Sequence, residues 1–475
     1  MTTRRLFLQL SGAVGGSALL PTGSGAAVPG PREVSAAVPP FQAEMPVPPV
    51  LRPARSTHGT DHYELVAKPG TAAVLPGLST PVLGYQGSFI GPTIKATRRR
   101  RVAVTYRNGL TEETAVHLHG GHVAADQDGH PMDAVQPGEK RIYLYPNEQR
   151  GATLWYHDHA HHIDAEHVYR GLAGFYLLED PVERMLPLPK GKYDIPVMIR
   201  NARFDTDGKM IFEWRDFFGR DTIIVNGKPQ PHLRVEARKY RFRFLNAANL
   251  GVFKLSLSTG DSFVQIGSDG GLLPRPYVTP AFQLLPGERV EAVIDFSKYP
   301  RGTRVIVKNE YAFTPETADI MAFDVGDPAP DRSAVPDVLR PLPALGPADR
   351  TRQFVLGPDA EGMPVINGKS FDMDRVDTTI PLGSTEIWEI TNNDVAQPIP
   401  IPHNMHVHLV QFRVLSRNGA PPDGGEAGLK DTVTVFPGET VRIQATFADY
   451  RGRYLYHCHF LDHAAEGMMA QLEVV

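Results

Sequence analysis

QPGEKRIYLY at residues 136–145, LPGERVEAVIDF at 285–296 and FPGETVRIQATF at 436–447 are three versions of one pattern, a Pro-Gly-Glu turn running into a strand. Proline fixes φ for the turn, glycine tolerates the left-handed backbone that closes it, and the β-branched residues that follow suit a pleated strand. Pro137, Pro286 and Pro437 stand 149 and 151 residues apart. A second marker keeps a similar spacing: the strand-like stretches RVAVTYRN, YRFRFLNA and TEIWEITNN place Asn108, Asn246 and Asn392 at intervals of 138 and 146 residues. Helical patterns are few. Self-similarity at this period in a chain of 475 residues predicts an all-β protein of three tandem domains.

The expected boundaries follow from composition. Residues 1–45 would be an export signal and a flexible lead-in, 46–187 the first domain, 188–325 the second, 326–350 a Pro-rich linker and 351–475 the third. At the N-terminus Arg4 and Arg5 precede a short apolar stretch from Leu6 to Leu20, then small residues around Ala26 and Ala27, as in a twin-arginine export signal. That stretch is Gly-rich and shorter than the roughly 20 residues that span a bilayer, and no later segment is a candidate. Export by this route leads to the periplasm, the cell envelope or the exterior. A formal net charge of -4 and the absence of an aromatic platform beside the basic run 98–101 argue against nucleic acid.

One cysteine, Cys458, is present, so no disulfide forms within the chain. It lies between two histidines in YLYHCHFLDHAAEGMM, and the repeat shows why that matters. Counting 20 and 22 residues from Pro137 reaches His157 and His159, and the same count from Pro437 reaches His457 and His459. From Pro286 it reaches Ile306 and Lys308, so the middle domain lacks the pair. A further His-x-His follows the Asn-ended strand of each outer domain, His117 with His119 and His406 with His408. On a strand, residues i and i+2 project to one face. Four such pairs predict eight imidazoles converging between the outer domains, enough for several metal ions.

Cys458 then projects the other way, toward His403, His463 and Met468. Two histidines, a thiolate and a weak axial methionine form the blue-copper electron-transfer set. Zinc also accepts cysteine and histidine but has no use for the methionine. The other histidines, His58, His62, His122, His130, His161, His162, His167 and His232, fall outside the repeat and are expected in loops, on the surface or in a helix following His159.

HLHGG, WYHDHA, HNMHVHLVQF and HCHFLDHAAEGMM together resemble the four copper-binding motifs of the multicopper oxidases. The branch most similar is that of bilirubin oxidases and bacterial spore-coat laccases, with FIGPTI, DGHP, HVYRGLAGFYLLEDP and GLKDTV in support. The resemblance implies three cupredoxin-like Greek-key β-sandwiches, the middle one without copper ligands. It implies four copper ions: type 1 on His403, Cys458, His463 and Met468, type 2 on His117 and His406, and a type 3 pair on His119, His157 and His459 and on His159, His408 and His457. The implied activity couples four one-electron oxidations of phenols, aromatic amines or bilirubin-like pigments to reduction of O₂ to two waters. Cys458 would carry electrons from type 1 copper to the cluster, with Asp128, and secondarily Glu466, as proton donors. The alternatives are a metallo-oxidase of Cu(I), Mn(II) or Fe(II) and a non-catalytic copper-binding or envelope protein. The absence of a Met-rich insertion favours organic substrates, and a monomer is expected. Two departures stand out: Ala464 replaces a glutamate frequent in this branch, and Asn404 replaces the usual proline after the first type 1 histidine, which is expected to loosen that loop.

Overall fold

A computed structural model describes residues 38–395 and 400–475; the export-signal reading falls outside them. Each repeat forms a pair of sheets. In the first, a five-stranded sheet containing Arg101–Asn108 and Lys140–Tyr145 accompanies a four-stranded sheet that ends in Ala152–Asp158 and Val116–His119. The second has sheets of seven and five strands, and the third two of five. Period-two patterning builds the cores: along Thr385–Asn392 burial alternates residue by residue, and Trp388 and Ile390 pack with Phe354, Phe447 and Tyr456.

The two sequence markers meet in space. Each Asn-ended strand pairs antiparallel with the strand after its own Pro-Gly turn, with Arg107 opposite Lys140, Leu245 opposite Arg289 and Thr391 opposite Thr440. The asparagine closes the connection. Asn108 Nδ2 donates to the Val135 carbonyl at 2.8 Å, Asn246 Nδ2 to Leu284 at 2.8 Å and Asn392 Nδ2 to Val435 at 2.9 Å, each the residue two before the turn proline. Each Oδ1 accepts the backbone N–H two residues on. All three side chains are fully buried, and an apolar replacement would strand backbone groups at roughly 1–3 kcal/mol each.

The lead-in differs from expectation over its described part. Phe41 and Met45 N–H donate to the Gln230 and His232 carbonyls, both at 2.7 Å, and the Met45 side chain enters the core of the second domain. Extended chain carries unpaired backbone groups, and here a sheet edge satisfies them. The linker likewise lies along the surface, with Ala334 N–H on the Pro187 carbonyl and Leu339 N–H on that of Pro274.

Two short helices, Asp164–Arg170 and Leu461–Ala465, follow the second His-x-His of the outer domains and pack on one another through Ala165, Val168, Leu461 and Ala465. They hold the two histidine-bearing ends together. Among the described residues no helix is long and apolar enough to cross a membrane.

Candidate metal centre

Strand geometry positions the eight imidazoles. His117 stands opposite His157 across one antiparallel ladder and His406 opposite His457 across the other. The ladders come from different domains, and their rings interleave. His119 stacks on His406 at 3.7 Å between centroids and His117 on His408 at 3.8 Å. None of the eight is more than 1% exposed.

Hydrogen bonds fix which nitrogen each ring presents. His117 Nδ1 donates to the Asp128 carbonyl at 2.7 Å, His406 Nδ1 to the Asp431 carbonyl at 2.8 Å and His457 Nδ1 to the Cys458 carbonyl at 3.0 Å. His408 Nδ1 lies 2.7 Å from Asp128 Oδ2. A neutral imidazole has one N–H, so these four Nε2 atoms carry bare lone pairs. They face each other: His406 Nε2 is 3.4 Å from His117 Nε2, and His408 Nε2 is 3.3 Å from His457 Nε2. Protonation does not relieve this. Burial first, and then the neighbouring imidazoles, hold His406 and His408 well below the ordinary histidine range, and His457 is lowered to about 4, mainly by burial. His157 Nε2, His159 Nδ1 and His459 Nδ1 have no hydrogen-bond partner, although Asp164 Oδ2 lies 3.5 Å from His159 Nδ1. Converging lone pairs in a dry interior are a cation site in search of cations, and soft-to-borderline metals that favour imidazole fit it.

The second site lies behind the first. The ladder ends at His457, so Cys458 stands just beyond its strand, yet the alternation persists. Cys458 Sγ lies 3.8 Å from His403 Nδ1 and 3.8 Å from His463 Nδ1, and the three can share one ion. Met468 is fully buried beside them, its carbonyl accepting the Cys458 N–H at 3.0 Å. Burial pushes the thiol up to about 12, so only a bound metal would make it a thiolate near neutrality. The His463 ring is stacked on Phe460 and borders Phe217 of the second domain.

Of the residues expected to handle protons, Asp128 lies within the cluster: fully buried, it holds His117 and His408 together, while its Oδ1 makes no hydrogen bond and lies 3.5 Å from His117 Nδ1. Glu466 does not join it. Its carboxylate pairs with Arg215 Nε of the second domain at 2.5 Å, because the chain leaving the helix turns toward that domain. Asn404 corrects the expectation of a loosened loop. It is a fully buried residue of the strand His403–Val407, and its amide bonds the Pro286 carbonyl and the His459 N–H, each at 2.6 Å.

Sequence reasoning missed the charged scaffold. Asp431 Oδ1 lies 3.0 Å from His119 Nε2 and 2.7 Å from Arg289 Nη1, all fully buried. The signals were the Asp of GLKDTV and the Arg of LPGER. His167, left outside the repeat by its spacing, lies in the helix Asp164–Arg170 and has a structural duty there: Nδ1 lies 2.9 Å from Asp158 Oδ2, between the histidines of WYHDHA.

Family models described as Multicopper oxidase match residues 67–183 and 345–475. A laccase of Bacillus stratosphericus is 38% identical over 92% of this chain and 99% of its own length. A bilirubin oxidase of Albifimbria verrucaria is 38% identical over 92% of this chain and 82% of its own. Among solved structures, a laccase from Pediococcus acidilactici superposes with a TM-score of 0.86 at 32% identity, covering 94% of this chain and 96% of that one. Two converging sets of metal-ligating side chains in a three-domain β-fold, matched along nearly the whole chain, show that it belongs to the multicopper oxidase family, as a laccase-like, copper-dependent oxidoreductase using O₂.

Proposed function

We propose that the chain holds four copper ions: type 1 on His403, Cys458, His463 and Met468, type 2 on His117 and His406, and a type 3 pair on His119, His157 and His459 and on His159, His408 and His457. The observation that carries this reading is the pairing of bare nitrogens, 3.3–3.4 Å apart, beside a separate thiol site that is joined to them by single peptide bonds. Copper, when bound, would supply one-electron redox chemistry, which suits reductants that give up electrons singly and the four-electron reduction of O₂. The protein does the rest. Cys458 is bonded through the backbone to His457 and His459, giving a covalent route between the sites. The backbone carbonyls of Asp128, Asp431 and Cys458 hold His117, His406 and His457 in one tautomer. Burial of all eight rings excludes bulk water from the place where oxygen is reduced.

Asp128 is the proposed proton carrier, with Oδ1 the atom that holds a proton bound for reduced oxygen. Asp128→Asn keeps the shape and removes that capacity. Oxygen reduction should fall by about 10²-fold or more while a phenolic reductant still bleaches the blue colour at its ordinary rate. Equal loss in both half-reactions would assign Asp128 a structural role instead.

The proposed reductants are phenols, aromatic amines or bilirubin-like pigments, which supply electrons one at a time near His463. Turnover of a methoxyphenol, bilirubin, Cu(I), Mn(II) and Fe(II) under one set of conditions tests this. Organic oxidation should dominate, and robust metal oxidation with negligible organic turnover would make the enzyme a metallo-oxidase. A non-catalytic envelope role is opposed by the retention of all twelve proposed ligands. Each chain carries a full ligand set, so we also propose a monomer, exported by the twin-arginine route on the strength of Arg4, Arg5 and the apolar stretch after them.

A further inference from the structure

The Pro-Gly-Glu turn does different things in its three copies. In the outer domains Gly138 and Gly438 are exposed, and a Cβ would meet nothing within 4 Å at the first and only Val395, at 3.7 Å, at the second. In the middle domain Gly287 is buried with φ of 84°, and a Cβ there would stand 2.8 Å from the ring of His459. Only glycine fits both the backbone and the space. The preceding carbonyl, that of Pro286, accepts Asn404 Nδ2 at 2.6 Å. Asn404 Oδ1 accepts the His459 N–H at 2.6 Å and lies 3.6 Å from Cys458 Sγ. One end of the amide faces a carbonyl and the other an N–H, so it cannot flip without losing both bonds. The domain that supplies no ligand therefore packs Gly287 against the His459 ring and, through the Pro286 carbonyl, anchors the Asn404 amide that holds the His459 N–H.

We propose that Asn404, anchored on Pro286, is a positioning residue that lowers the reduction potential of the Cys458 site and holds the Cys458–His459 route in place. This rests on the copper assignment above. With the thiol replaced by a copper-bound thiolate, the oxidised site carries one more positive charge than the reduced one. The negative end of the amide dipole, near the sulfur and in a dry interior, favours the oxidised form. It also keeps the His459 N–H from turning to the sulfur, where it would favour the reduced form.

Asn404→Leu removes both polar ends while keeping the branching and heavy-atom count of the side chain. The type 1 potential should rise by at least the equivalent of a tenfold change in equilibrium with a one-electron mediator, about 59 mV, with the blue charge-transfer band retained. Asn404→Thr, whose hydroxyl can accept the His459 N–H but cannot reach Pro286, should fall between wild type and the leucine variant, and it carries the test alone if Asn404→Leu fails to fold. An unchanged or lowered potential in the copper-loaded variants overturns the proposal, even if their melting temperature drops. Absence of the blue band from wild-type protein overturns the copper assignment instead.

Discussion

Cys458→Ser should abolish both the blue colour and the oxidation of every reducing substrate while leaving three of four copper ions bound. The serine hydroxyl stays protonated where a thiolate would bind, leaving His403 and His463 with one weak partner in a fully buried site. The eight imidazoles do not need Cys458 for their orientation beyond its carbonyl, which holds His457 Nδ1 and which serine retains. Electrons then have no entry point, so turnover should drop to background. The check is absorption, copper content and oxygen uptake on one preparation. Residual blue absorption would show that the colour does not arise at Cys458, and turnover within about tenfold of wild type that electrons reach the imidazole cluster by another route.

The second large effect is expected away from any proposed ligand. Arg289 is fully buried and bonds both carboxylate oxygens of Asp431, the Thr153 carbonyl at 2.9 Å and the Gly287 carbonyl at 2.8 Å. Asp431 in turn reaches His119. Arg289→Met leaves Asp431 charged and unpaired, a cost of about 3–5 kcal/mol. Lys430 still neutralises Asp269 at 3.1 Å, so the loss falls on Asp431 and on the histidine it orients. Denaturant unfolding of the copper-free protein should show that loss of stability, and copper-loaded protein should retain type 1 absorption while binding fewer ions in the cluster. Arg289→Lys keeps the charge but not the fork, and should recover only part of the stability. A change below about 1 kcal/mol in Arg289→Met would mean that the network is not held by this ion pair.

These two cases differ in how far the sequence announced them. Cys458 and the four His-x-His pairs were readable because strand alternation is local: two residues decide which way a ring points. The three-domain plan was readable for a similar reason, since Asn108, Asn246 and Asn392 each close a loop within their own repeat. Arg289 and Asp431 were not, because they lie 142 residues apart and meet only when the second domain packs against the third. The repeat does not announce this either: its outer turns are exposed at Gly138 and Gly438, whereas the turn at Gly287 is buried against His459. Asn404 looked like a lost proline because its amide partners, Pro286 and His459, are 118 and 55 residues away. Glu466 looked available to the cluster because the sequence does not show Arg215 coming up to meet it.

One thiolate site and one imidazole cage for a single redox metal should be visible in copper counted per chain on the purified, fully loaded protein, together with its visible and paramagnetic resonance spectra. Four copper ions are expected: one in an intense blue site, one paramagnetic without strong colour, and two that are silent as a coupled pair. A single ion per chain, or full occupancy by zinc with no blue band on copper loading, would contradict this assignment.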